Sequence, residues 1–142
     1  MKKNLALLLL LGVVILTATQ CKKKDDPQSD PTAKYAVSYQ FLISGDYKDL
    51  KIEYFEPGMV KKEVTNPAVP WQMSSTTFSP GDSVELMITF TEPIGDIDYE
   101  WTWNIYATNG TTTLDYSNHQ HISGTNSSET PVVINAWKGK LP

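Results

Sequence analysis

The sequence predicts an all-β fold, a single antiparallel β-sandwich of about seven or eight strands over residues 34–142. Apolar and aromatic residues recur there with a period of two, as they do in strands that bury one face. Turn-forming residues interrupt this pattern at near-regular intervals, and no segment has the length and 3.6-residue period of a helix. About 105 folded residues are enough for one hydrophobic core without a disulfide bond.

The first three predicted strands are short and end at turns. Residues 35–43 alternate aromatic or aliphatic side chains with small or polar ones, and residues 50–54 repeat the pattern with a charged outer face. Turn residues at 44–49 separate these two strands, and Pro57-Gly58 ends the second. A short polar third strand is predicted over residues 59–65.

The fourth and fifth predicted strands follow a proline-rich loop. Two prolines restrict residues 66–70 to an extended path, and a weak strand is predicted over residues 71–78. Ser79-Pro80-Gly81-Asp82 favours a turn. Residues 84–90 then show the most regular apolar alternation in the chain, which predicts a strand with one buried face.

Three aromatic residues, Tyr99, Trp101 and Trp103, occupy alternate positions of the sixth predicted strand and therefore project on one side. A buried core and a flat platform for sugar rings both need this geometry, and we prefer the core because aromatic side chains contribute much of its buried area. We expect the faces that begin at Tyr35, Val84 and Tyr99 to pack together. The sequence then predicts a hairpin at Asn109-Gly110, a return strand over 111–116, a polar loop over 117–129 and a last strand over 131–137.

Residues 1–20 have the organisation of an export signal peptide. A positively charged start, Met1-Lys2-Lys3-Asn4, precedes an almost unbroken apolar run over residues 5–16, and small or polar residues follow. The run of about 12 residues is shorter than the roughly 20 that a membrane-spanning helix needs. We therefore expect an export signal rather than a spanning anchor.

Cys21 is the only cysteine, so no intramolecular disulfide bond can form. Its position directly after the apolar run resembles the lipobox of bacterial lipoproteins, in which the thiol is acylated and the cysteine becomes the first residue of the mature chain. Ala18 and Thr19 fit that pattern, and Gln20 replaces the usual small residue, as in the looser boxes of the Bacteroidetes. The resemblance implies a lipid anchor at Cys21; the alternative is an ordinary secretory signal followed by a free thiol.

Residues 21–33 are predicted to form a disordered tether, because they combine two prolines and dense charge with almost no apolar surface. Within this tether, Lys24-Asp25-Asp26 resembles the lysine-plus-two-acids signal that sends some Bacteroidetes lipoproteins to the outer face of the outer membrane. The resemblance implies a domain exposed at the cell surface, and a periplasm-facing anchor is the alternative.

The charge balance excludes two classes of partner. The 12 basic residues are all lysine, against 16 acidic residues, and loss of Lys2 and Lys3 with a signal peptide would change the formal net charge from -4 to -6. Nucleic acids are bound by basic patches and by the forked guanidinium of arginine. We therefore expect neither nucleic acid nor an anionic lipid surface as a partner of the folded domain.

Sparse aromatic and turn positions over residues 34–118 give a further resemblance. They are Tyr35-x-Val37-x-Tyr39, Ile52-x-Tyr54, Pro70-Trp71, Gly81-Asp82 and a later hairpin. In these positions the chain resembles MmpS-like domains, small β-sandwiches tethered at the cell envelope, beside transport machinery in mycobacteria and as lipoproteins in Bacteroidetes. The resemblance implies a β-sandwich with an envelope partner and brings no catalytic residues, and the loops after Asp96 and Ser117 depart from its pattern.

Two histidines have a spacing that is found in metal sites. His119-x-His121 places both imidazoles on one side of an extended segment, where a transition metal could bind with Asp115 or Glu129 as a carboxylate ligand. The alternative, which we prefer, is a pair of solvated histidines in a Ser/Asn-rich loop.

An acidic series has the alternation of a calcium site. Asp96-x-Asp98-x-Glu100, with Glu92 nearby, offers oxygen ligands two residues apart. Calcium sites usually add backbone carbonyls and a bidentate glutamate at a defined spacing, so we prefer an acidic loop that leads into a strand. We expect no cofactor.

Two tryptophans and one serine complete the candidate residues. Trp71 and Trp137 lie beside turns or near the end of the sequence, so each could be an exposed contact for a glycan. Asp82-Ser83-Val84 resembles the acceptor sequence for O-glycosylation in Bacteroidetes, and a plain turn leading into a strand is the preferred interpretation.

The residues lack the arrangements that catalysis requires. No nucleophile elbow with a histidine partner is recognisable, and no glycine-rich phosphate loop precedes a helix. We therefore predict a non-enzymatic, lipid-anchored binding or accessory module at the outer membrane, with another envelope protein as its partner. The alternatives are a carbohydrate-binding lipoprotein of a glycan-uptake system and a scavenger of metal or a small ligand.

Overall fold

A computed structural model describes residues 33–142 of the chain. The expectations for the signal peptide, for lipidation of Cys21 and for Lys24-Asp25-Asp26 lie outside these residues. The described chain forms eight strands: β1 (Tyr35–Gly45), β2 (Lys48–Glu56), β3 (Val60–Thr65), β4 (Trp71–Phe78), β5 (Ser83–Glu92), β6 (Gly95–Thr108), β7 (Thr113–Asn126) and β8 (Thr130–Lys140). Over the same residues, no helix has the length and apolar character needed to cross a membrane.

The strands form two antiparallel sheets of four strands each, which confirms the predicted all-β fold and is consistent with the β-sandwich. Sheet A has the strand order β4-β1-β6-β7, and sheet B has the order β3-β2-β5-β8. Two connections, β2–β3 and β6–β7, join neighbours within one sheet, and the other connections pass from one sheet to the other. Most neighbouring strands in each sheet are therefore not consecutive in sequence.

The hydrophobic core lies between the sheets and contains one residue of every two along β1, β5 and β6. The three faces that begin at Tyr35, Val84 and Tyr99 are buried together, as predicted. Trp101 and Trp103 belong to this core, which confirms the core interpretation of the aromatic series. Full burial of a side chain such as Phe or Ile contributes about 1.5–3 kcal/mol, so these three strands supply much of the stability.

Tyrosine hydroxyls give the core its few polar contacts. The hydroxyl of Tyr39, on sheet A, donates to the carbonyl of Phe55 on sheet B at 2.9 Å. The hydroxyl of Tyr99 donates to Oε1 of Glu92 at 2.5 Å, and Oε2 of the same carboxylate accepts a bond from Asn126. Burial raises the pKa of both tyrosines well above the ordinary value of 10.0, because ionisation would place a charge in a poorly solvated site.

The second half of the chain differs from prediction at β7. The predicted polar loop over 117–129 is wrong, because residues 117–126 continue β7 and pair with β6 along their whole length. β7 is an edge strand of sheet A, and most of its side chains are exposed on both faces, so it can form without an apolar alternation. The last strand is also longer than predicted and spans Thr130–Lys140.

Candidate functional site

The outer surface of sheet A collects most of the residues that the sequence singles out. We call this surface face A; it consists of the outward side chains of β4, β1, β6 and β7. The acidic series over residues 96–100 lies on it, within β6 rather than in a loop that precedes the strand. His119 and His121 lie on it as well, within β7 rather than in a loop.

Charge is distributed unequally between the two sheets. The strands of sheet B contain six lysines, which are Lys48, Lys51, Lys61, Lys62, Lys138 and Lys140. Most of them pair with acids of the same sheet, for example Lys61 with the nearly buried Glu53 at 2.8 Å and Lys138 with Glu85 at 3.1 Å. The strands of sheet A contain no lysine, and their acids are confined to β6 and β7. Face A is therefore neutral over β4 and β1 and acidic towards β7.

The cross-strand register arranges the outward side chains of face A in rows. The central row joins neighbours on four strands, which are Gln72, Gln40, Asn104 and Ser117. The next row towards one end contains Leu42, Thr102 and His119, and the next row towards the other end contains Ser74, Ser38, Tyr106 and Asp115. Because neighbouring strands lie about 4.8 Å apart, a row of four strands is about 14 Å long.

A depression of about 380 Å³ lies where the first two of these rows meet. We call it the amide groove; its outward-facing lining residues are Gln40, Leu42, Gln72, Thr102 and Asn104, and Pro70 and Trp71 border it at the start of β4. Among residues 33–142, no hydrogen bond engages the side chains of Gln40, Gln72 or Thr102, whereas the Asn104 amide donates to Asp115 at 2.9 Å. The groove is thus uncharged and rich in available hydrogen-bonding groups.

The two tryptophans predicted as glycan contacts are mainly parts of the sandwich. Trp71 is partly buried and its ring lies 5.3 Å from that of Tyr54, centroid to centroid. Trp137 stacks on Tyr116 with ring centroids 4.5 Å apart, a contact that joins β8 to β7 across the edge of the sandwich. Trp71 still borders the amide groove, but neither indole presents an isolated exposed platform.

The exposed aromatic residue on face A is Tyr106, with 40% of its surface accessible. Tyr106 is not among the candidate residues named from the sequence. Its position could have been recognised from the sequence, because Tyr106 continues the solvent-facing series of Thr102 and Asn104 along β6.

The two candidate metal sets lie on one surface. Nε2 of His121 is 2.6 Å from Oδ1 of Asp98, and Nε2 of His119 is 3.9 Å from Oε2 of Glu100. The expected additional ligands lie elsewhere: Asp115 accepts a bond from Asn104 as described above, and Glu129 forms an ion pair with a sheet B lysine. In the described part of the chain, no three His, Cys, Asp or Glu side chains are placed to hold a metal ion.

A second, smaller depression of about 290 Å³ lies beside the His121–Asp98 pair and is also lined by Ser44. Within residues 33–142, His121 is hydrogen-bonded to Asp98, and no hydrogen bond connects it with Ser44. Ser83 begins β5 directly after a turn in which the Asp82 carboxylate accepts a bond from the Ser79 amide at 2.8 Å. The turn interpretation of Asp82-Ser83-Val84 therefore agrees with the local hydrogen bonding.

Comparisons with protein-family models, with curated proteins and with solved structures find no match for this chain. The resemblance to MmpS-like domains stays a prediction.

Proposed function

We propose that the chain is a lipid-anchored, non-enzymatic binding module of the bacterial envelope, and that face A holds its ligand or partner. One observation carries the proposal: the strands of sheet B contain six lysines, most of them paired with acids, whereas the strands of sheet A contain none and face A contains a neutral groove with unused hydrogen-bonding groups. Surface charges limit non-specific association, so the uncharged area of face A over β4 and β1 is a specialised surface on an acidic chain.

The location of the module follows from the N-terminal sequence. The lipobox resemblance at Cys21 supplies the anchor, and the tether over residues 21–33 supplies reach. Lys24-Asp25-Asp26 supports a position on the outer face of the outer membrane. Protease treatment of intact cells tests this position: loss of the domain supports surface exposure, and protection until lysis supports the periplasm-facing alternative.

Thiol labelling tests the anchor and the binding face in one experiment. An acylated Cys21 has no free thiol, so the wild-type chain should not react with maleimide; reaction would contradict the lipid anchor. Two variants, Thr102→Cys on face A and Glu63→Cys on sheet B, each add one exposed thiol. Both should react rapidly in the purified protein dissolved in detergent.

In intact envelopes, a bound ligand or partner should slow the reaction of Thr102→Cys at least tenfold and leave that of Glu63→Cys within twofold of its rate in detergent. Equal rates for the two thiols in envelopes would overturn the assignment of face A. Selective protection of Glu63→Cys would place the binding surface on sheet B instead.

A further inference from the structure

The amide groove indicates the chemical class of the ligand, an inference that rests on the proposed use of face A. We propose that the groove binds a neutral oligosaccharide. Gln40, Gln72 and Asn104 each carry a carboxamide, which offers two donor hydrogens and an acceptor oxygen, and Thr102 adds a hydroxyl. Sugar hydroxyls also donate and accept, so they match this set of groups more completely than a ligand with acceptors only.

The charges around the groove exclude anionic ligands. None of its lining residues is charged, and the strands of sheet A contain no lysine. Phosphate and carboxylate groups are normally held by Arg or Lys, and here the lining residue Asn104 is instead hydrogen-bonded to the carboxylate of Asp115. An uncharged ligand is therefore the better match.

The groove also has an apolar side that suits the C–H faces of sugar rings. Leu42 has 43% of its surface exposed, Pro70 is exposed, and the partly buried Trp71 forms the border. Tyr106 lies two residues beyond Asn104 on the same face of β6, about 6.8 Å further along the strand. A ligand of two or more rings could thus lie in the groove and continue over the Tyr106 ring.

The groove is built on a rigid element, which favours a preformed site. Its residues on β1 and β6 lie within the interior of those strands, and β1 is paired on both sides, which fixes their backbone positions; Gln72 lies at the start of the edge strand β4 and pairs with Gln40. Its volume of about 380 Å³ lies at the lower end of the range for small-ligand sites. A protein partner fits less well, because interface hot spots need clustered Trp, Tyr or Arg side chains, and the large apolar side chains exposed at the described groove are few.

The test uses the full lipidated chain in detergent and a panel of neutral hexasaccharides, namely malto-, cello-, laminari-, xylo- and mannohexaose, with oligogalacturonate as the anionic control. Calorimetry measures affinity, and NMR follows the side-chain amide signals of Gln40 and Gln72. Gln40→Ala and Gln72→Ala should each weaken binding about tenfold, because each removes hydrogen bonds worth about 1.4 kcal/mol in total. Ser123→Ala, an exposed change on face A away from the groove, should leave affinity within twofold.

Millimolar or tighter binding of a neutral hexasaccharide, with shifts of the Gln40 and Gln72 amide signals in the wild-type chain, would support the inference without reliance on variants. No binding of any neutral hexasaccharide, binding of oligogalacturonate alone, or binding that both glutamine variants leave intact would overturn it. Labelling of Thr102→Cys in envelopes tests the proposed function independently of the saccharide titration. Protection of that thiol in envelopes without saccharide binding would leave face A as a surface for a protein partner, whereas loss of both results would overturn both proposals.

Discussion

Replacement of Gly45 by alanine would test how closely β1 and β6 approach each other at the end of sheet A. Gly45 has a φ of 96°, a backbone conformation that residues other than glycine rarely adopt. An added Cβ would overlap the carbonyl oxygen of Asp98 and lie 2.8 Å from Cα of Tyr99. Because non-bonded carbon atoms prefer about 3.5–4.0 Å, the two strands would have to separate locally by about 1 Å.

Gly58→Ala is the matched control. Gly58 also has a positive φ, of 78°, but an added Cβ would meet no atom within 4 Å. The control therefore isolates the backbone strain, about 1 kcal/mol, whereas Gly45→Ala adds the strand separation and should lower the free energy of unfolding by about 2–4 kcal/mol. Urea titration monitored by tryptophan fluorescence measures both values. Equal losses in the two variants would refute the close approach of β1 to β6 as a determinant of stability.

Three further predictions concern contacts between the two sheets. Tyr39→Phe removes the hydroxyl that donates to Phe55 across the sandwich and should lower the free energy of unfolding by about 1 kcal/mol; an unchanged urea midpoint would contradict it. The raised pKa values of Tyr39 and Tyr99 mean that their stabilising effect is complete below pH 10 and is lost as pH rises above it, since the unfolded chain ionises first. The tyrosinate absorbance of these two residues should therefore appear only as the chain unfolds. Ionisation of every tyrosine while the chain is still folded would contradict the raised pKa values. Trp137→Ala removes the stacked contact between β7 and β8 and should cost about 3 kcal/mol, with hydrogen exchange expected to accelerate most in β8.

The parts of the fold that the sequence predicts are the strands with a strict buried alternation. Residues 35–43, 84–90 and 99–107 bury every second side chain, so hydrophobic periodicity identifies both the strand and its inner face. β7 escapes this reasoning because its inward positions include the polar, exposed Asn118 and Gln120 at the edge of the sandwich. Pairing with β6, rather than burial, makes this segment a strand.

The candidate site depends on register and strand order, which single segments do not reveal. The hairpin at Asn109-Gly110, extended through β7, pairs Glu100 with His121 and Thr102 with His119; a longer predicted hairpin would have brought the acidic series and the histidines together. The amide groove was beyond prediction for another reason. Its carboxamides come from β4, β1 and β6, and nothing in the local sequence indicates that these three strands are neighbours.

The alternation of consecutive strands between the two sheets determines how the chain can assemble. β1 pairs with β4 and β6, and β2 pairs with β3 and β5, so long loops must close before either central strand is held on both sides. Such non-local pairing makes folding slow, on the order of milliseconds to seconds, and cooperative. A nascent chain that ends at Glu92 lacks β6, the partner that covers the inner edge of β1. The domain is therefore expected to stay unfolded until nearly all of it has been synthesised, which is the state in which a polypeptide can be threaded through a membrane pore.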